Sequence, residues 1–143
     1  MGQLSAGRRL KRGLVVDTHA ALWYLADDPA LSARAAAAID AATIAGEPIY
    51  MPAICLVEAI YLAEKGRIPG IAVERLILAL EEPNPRFVLA PLDRIVATAV
   101  RGIARADVPD LPDRVIAATA AALRLPLVTK DGQIRATNLE TLW

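Results

Sequence analysis

The sequence has one cysteine, Cys55, and one histidine, His19, among its 143 residues. A single thiol excludes an intrachain disulfide and a zinc site built from cysteines. A single imidazole excludes a multi-histidine metal site. Any chemistry therefore falls mainly to carboxylates. No paired cysteines and no apolar export signal are present, so the cytoplasm is the expected compartment. Aromatic residues make up only 4% of the chain, and a stacking platform for single-stranded nucleic acid is not expected from that composition. Long apolar runs are missing too. Uncharged stretches such as 48–57 fall well short of the roughly 18 residues of a membrane span.

What is there points to a dense core. Hydrophobic residues make up 55% of the chain and mean hydropathy is +0.38, which suits an α/β fold with a sheet covered on both faces. The length suits one domain. Formal net charge is zero but uneven. Arg8, Arg9, Lys11 and Arg12 have no acid among them, which leaves 12 basic against 16 acidic residues in the remainder. Residues 1–13 read as a basic, loose N-terminal extension, with a phosphate-attracting arm as the alternative. Residues 14–143 form the domain.

Along that domain, apolar β-branched runs alternate with helical patterns. Strands are predicted at 14–17, 49–51, 87–90, 127–129 and 139–143. Helices are predicted at 18–26, 31–45, 52–65, 71–80, 92–105 and 111–123, with Ser32 a candidate cap and Pro52 placed where a missing N–H does no harm. Lys130, Asp131 and Gly132 read as a turn. This alternation argues for a parallel sheet covered by helices.

Against this background two acids stand out. Asp17 is the single formal charge in LVVDTHAALWYLA and ends the first strand. Functional sites of open α/β sheets form at that edge, although Asp17 also suits a helix N-cap. Glu58 is the only charge in PIYMPAICLVEAIYLA. A carboxylate in such surroundings is costly unless paired or bound to a cation; a narrow solvent face or a distant arginine would also satisfy it. Asp110 and Asp113 are spaced as a cap and a third helical position. Asp131 follows the fourth strand, where Asp-Gly also makes an ordinary turn.

The conjunction carries more than any one of them. Asp17 and Asp131 follow strands of one parallel sheet, and Glu58 and Asp113 lie near helix starts at the same edge. Neighbouring first and fourth strands would bring the four together. Clustered carboxylates repel unless a counter-charge is supplied. Oxygen-only ligands suit Mg²⁺ or Mn²⁺, and such an ion lowers the pKa of bound water and stabilises charge on a phosphate under attack.

The order LVVDTHAALWYL, AICLVEAIYLAEKGRI, DLPDRVIAATAAALRLPLVTKD and TLW resembles the PIN-domain nucleases. It is most similar to the VapC-type ribonuclease toxins of toxin–antitoxin pairs. The resemblance covers 14–143. It implies a three-layer α/β/α domain with a parallel sheet of strand order 3-2-1-4-5. It also implies Mg²⁺- or Mn²⁺-dependent cleavage of RNA by metal-activated water and neutralisation by a cognate antitoxin. Carried over residue by residue, Asp17, Glu58, Asp113 and Asp131 match the catalytic and metal-holding acids. Asp110 matches a neighbouring acid, Thr129 the usual hydroxyl neighbour of Asp131, and Thr18 and His19 the DTH start. His19 is read as a positioning or packing residue. The pattern departs at Cys55, where the family often has serine, and this puts one supporting hydrogen bond in doubt.

Backbone phosphates need cations, and Arg94, Arg101, Arg114 and Lys130 are the candidates beside the N-terminal arm. RNA recognition is expected to rest on shape and on a surface shared by two subunits of a homodimer. One rival is phosphoryl transfer to Asp17, with Thr129 and Lys130 holding phosphate. Against it, aspartate phosphatases want an acid where this chain has His19. The other rival is a non-catalytic interaction module on the same fold.

Overall fold

The computed structural model describes residues 12–143. Five short strands, β1 (Leu14–Val16), β2 (Ile49–Pro52), β3 (Val88–Ala90), β4 (Leu127–Val128) and β5 (Thr141–Leu142), form one parallel sheet in the order β3-β2-β1-β4-β5. The helices are α1 (Thr18–Leu25), α2 (Ala33–Ile44), α3 (Ala53–Glu64), α4 (Gly70–Glu81), α5 (Arg94–Ala99), α6 (Leu111–Leu123) and α7 (Gly132–Arg135), with a 3₁₀ turn at Val100–Gly102. The expected α/β class and strand order 3-2-1-4-5 are both found. The chain moves outward from β1 to β3, crosses back, and continues through β4 to β5. Crossovers between parallel strands are right-handed as a rule, which in this order places helices on both faces of the sheet.

β1 is the centre of this arrangement. Val15 pairs with Tyr50 on one side and Leu127 on the other. Val15 and Val16 are wholly buried, and burying each such side chain is worth about 1.5–3 kcal/mol. The crossovers diverge from the end of β1, so the sheet opens a crevice there. Entry to β1 demands glycine. Gly13 has φ +116°, and a Cβ there would lie 2.1 Å from the Pro48 carbonyl oxygen. That oxygen already accepts the Leu14 N–H at 3.1 Å.

Small side chains bring the helices close. α6 buries Ala117, Ala118 and Ala120 beside Ile116, and the Thr119 hydroxyl is satisfied by the Val115 carbonyl at 2.7 Å. Ser32 caps α2 by accepting the Ala35 N–H at 3.0 Å, as its position suggested.

Two expectations are corrected. The helix expected over 92–105 is shorter, because Asp93 accepts the Val96 N–H and starts α5 at Arg94. Its far end tightens into the 3₁₀ turn, and Ile103 is extended. The turn expected at 130–132 is a helix start: Asp131 caps α7. The basic extension expected over 1–13 lies outside the described residues except for Arg12 and Gly13; Arg12 Nη1 is 3.5 Å from Glu47 Oε2. Among the described residues, no helix is long and apolar enough to cross a membrane.

Candidate active site

Four of the five acids at the open end of the sheet are placed by element termini, and Glu58 by the middle of a helix. Asp17 follows β1 and caps α1, one carboxylate oxygen accepting the Ala20 N–H at 2.8 Å. Its own N–H reaches the Val128 carbonyl at 3.2 Å, which ties it to the end of β4. Asp131 caps α7 through the Ile134 N–H at 2.9 Å. Asp110 caps α6 through the Asp113 N–H at 3.1 Å, and Asp113 sits in the first turn. Glu58 comes from mid α3. The Thr18 hydroxyl donates to its Oε1 at 2.5 Å. Each cap leaves one carboxylate oxygen unused by the backbone. Cap and ligand are therefore compatible roles.

The buried Thr129 hydroxyl joins two of the acids. It hydrogen-bonds to the Asp17 carboxylate and accepts the Asp131 N–H at 3.0 Å. Asp17, Glu58, Asp110, Asp113 and Asp131 all line one cavity of about 560 Å³. Among the described residues the ion pairs are Arg12–Glu47 and Arg86–Glu82, and neither involves a lining acid.

The missing counter-charge registers in the acids themselves. Burial pushes the Asp113 carboxyl up to about 7, and the charges of Asp131, Asp110, Glu58 and Asp17 add to it. Burial also raises Asp17, against the opposing pull of the Thr129 and Ala20 hydrogen bonds and of His19. Among the described residues, no three of these groups close into a ready-made ligand set; the acids ring the cavity. Their donor chemistry fits a hard divalent ion: all oxygen, surplus negative charge, no soft ligand.

A PIN domain family model matches residues 14–139. The chain belongs to the PIN domain family. Solved structures agree on the fold. VapBC2 from Rickettsia felis bound to a promoter DNA fragment aligns with TM-score 0.65 at 17% identity, covering 91% of this chain and 97% of that one. FitAcB from Neisseria gonorrhoeae aligns at 0.61 and 25% identity, over 90% and 95%. A toxin–antitoxin complex from Klebsiella pneumoniae aligns at 0.58 and 23% identity, over 90% and 94%. No curated protein matches by sequence.

In this PIN domain the remaining candidates separate. Lys130 lines the cavity. Arg94 and Arg101 are exposed and do not line it. Arg114 leaves the set of phosphate candidates: its Nε and Nη2 donate to the Ile103 carbonyl at 3.0 and 2.8 Å, and Nη2 to the Val100 carbonyl at 3.0 Å. It pins the 3₁₀ turn to α6. Cys55 is fully buried with Sγ 3.9 Å from the Val16 carbonyl, and burial first, then nearby acids, pushes its thiol well up. The hydroxyl on Glu58 comes from Thr18 instead. Trp23 and Trp143 also line the cavity and were not among the expected site residues. A low aromatic fraction says nothing about where the few aromatics gather.

Proposed function

We propose that this PIN domain is a VapC-type endoribonuclease toxin that cuts RNA phosphodiester bonds with Mg²⁺ or Mn²⁺ and is neutralised by a cognate antitoxin. The observation that carries the reading is five carboxylates around one cavity, none of them in an ion pair among the described residues. In this reading Asp17, Glu58 and Asp113 hold the principal ion. Asp131 holds a second ion or orients the attacking water. Thr18 fixes one oxygen of Glu58, and Thr129 fixes the spacing of Asp17 and Asp131. A bound ion supplies a more acidic water and stabilises charge on the phosphate. Solvent protonates the leaving 3′ oxygen.

The partners follow the same reading. The fold likeness to a toxin–antitoxin complex supports an antitoxin partner, with the cytoplasm as the expected compartment. Exposed Val57 and Tyr61 on α3, with Ile71 and Leu78 on α4, support a homodimer. The phosphatase alternative needs Thr129 to hold phosphate, but that hydroxyl is buried and already shared between Asp17 and the Asp131 N–H.

The test is induced expression with transcriptome-wide mapping of new RNA 5′ ends. Growth arrest with discrete new ends is expected, relieved by the co-expressed antitoxin and absent with Asp17→Asn. Arrest without new ends above the Asp17→Asn control would count against ribonuclease action.

A further inference from the structure

Aromatic side chains share the cavity lining with the acids. Both tryptophans of the chain line it, Trp23 from α1 and Trp143 just past β5. Their ring centroids lie 6.0 Å apart at an interplanar angle of 59°. His19 also packs against Trp23, with ring centroids 5.2 Å apart at an interplanar angle of 47°. Lys130 Nζ sits 5.3 Å from the centroid of Trp23. Both indoles are half-buried, and each packs against the hydrophobic core while lining the cavity. A tilt of 59° means that neither indole is stacked flat on the other.

The charge balance of the cavity gives these rings a task. Five acids line it, against Lys130 and His19. Such a surface repels a polyphosphate backbone until cations are bound, and one lysine cannot supply the affinity. Stacking of bases on aromatic rings does not depend on phosphate charge and is available to every base. Tryptophan offers the largest face for it.

We propose that Trp23 and Trp143 form a base-stacking clamp for single-stranded RNA. The clamp holds an unpaired base beside the acids, and Lys130 takes the adjoining phosphate. This inference rests on the ribonuclease reading for its substrate class. It makes the two tryptophans, rather than a basic surface, the determinants of substrate binding next to the scissile bond.

The test compares the full-length protein with Trp23→Leu, Trp143→Leu and the corresponding Phe variants, each checked for wild-type thermal unfolding. Two fluorescein-labelled probes are titrated in Ca²⁺: single-stranded oligoadenylate, and a tetrahydrofuran-spacer oligomer that keeps the phosphates and has no bases. Each Leu variant is expected to bind oligoadenylate about 5- to 100-fold more weakly, with Phe retaining most of the affinity. Binding of the baseless probe is expected to be unchanged. Oligoadenylate should also quench the intrinsic tryptophan fluorescence. Leu variants that bind oligoadenylate like wild type, or that lose both probes equally, would overturn the clamp. If wild type cuts RNA and the Leu variants keep its KM, the clamp fails and the ribonuclease reading survives. If wild type stacks adenines but cuts no RNA in Mg²⁺ or Mn²⁺, the reverse holds. Wild type that binds no oligoadenylate overturns the clamp outright.

Discussion

Thr18 and Glu58 stand 40 positions apart in sequence and are joined by a 2.5 Å hydrogen bond between their side chains. Thr18 is buried at the first position of α1, next to Asp17. The bond therefore couples the end of β1 to the middle of α3. It engages one oxygen of Glu58, a residue that lines the cavity.

Thr18→Val should remove that bond at nearly constant volume. A lost hydrogen bond to a charged group of this kind costs on the order of 1–2 kcal/mol, and loss of such a supporting contact weakens metal binding roughly 10–100-fold. Denaturant unfolding and Mn²⁺ calorimetry would show the two effects separately. Thr18→Ser should restore both, and a Val variant with wild-type Mn²⁺ affinity would show that Glu58 needs no such support.

On the ribonuclease reading Asp131 has two separable roles, the cap on α7 and a part in cleavage. Asparagine caps a helix about as well as aspartate, whereas alanine costs about 1 kcal/mol at a cap. Asp131→Asn should therefore keep α7 and wild-type thermal stability while losing cleavage. Asp131→Ala should lose both. If Asp131→Asn cleaves normally, capping is the whole of its role.

Metal-free stability should fall as pH rises. The Asp113 carboxyl titrates near 7 in the fold, against an ordinary 3.8. The folded state thus holds this proton more tightly than the unfolded chain does. The resulting stability is complete below about pH 4 and is lost as pH rises through 7. Asp17 is shifted in the same direction. Thermal unfolding in EDTA should show Tm declining across this window, with a flatter profile for Asp113→Asn. Mg²⁺ or Mn²⁺ should raise Tm more at the upper end than at the lower. A Tm independent of pH in EDTA would mean that the acids do not crowd one another.

Arg114 and Lys130 should behave oppositely. Arg114→Ala frees the carbonyls of Val100 and Ile103 and should cost about 1–3 kcal/mol of stability, with KM for RNA unchanged in the folded fraction. Lys130→Ala touches no such bond and should raise KM without moving Tm. The combination of unfolding and steady-state kinetics distinguishes them.

Much of this was legible in sequence because period and punctuation agree. Val15 and Val16 read as a buried strand and are one, and residues 111–123 read as a helix and match α6. Asp131 was misjudged locally because Asp-Gly serves equally as a turn and as a cap with the next residue. The end of α5 depends on how the chain turns at Ile103, which no residue near it announces. Arg114 reads in sequence as a phosphate candidate, since nothing in its neighbourhood foretells two carbonyls from a preceding turn. Asp17, Glu58, Asp110, Asp113 and Asp131 were each ambiguous alone, and the strand order is what put them around one cavity. The pairing of Trp23 with Trp143 is a tertiary fact without any local signal.

The central claim is that the counter-charge missing around Asp17 is a divalent ion used to cut RNA. The direct measurement is cleavage of end-labelled RNA by purified protein in Mg²⁺ or Mn²⁺, in EDTA, and with Asp17→Asn. Cleavage by wild type only when the ion is present, and none by Asp17→Asn under any condition, is the predicted result. Equal cleavage in EDTA, or by Asp17→Asn, would contradict it.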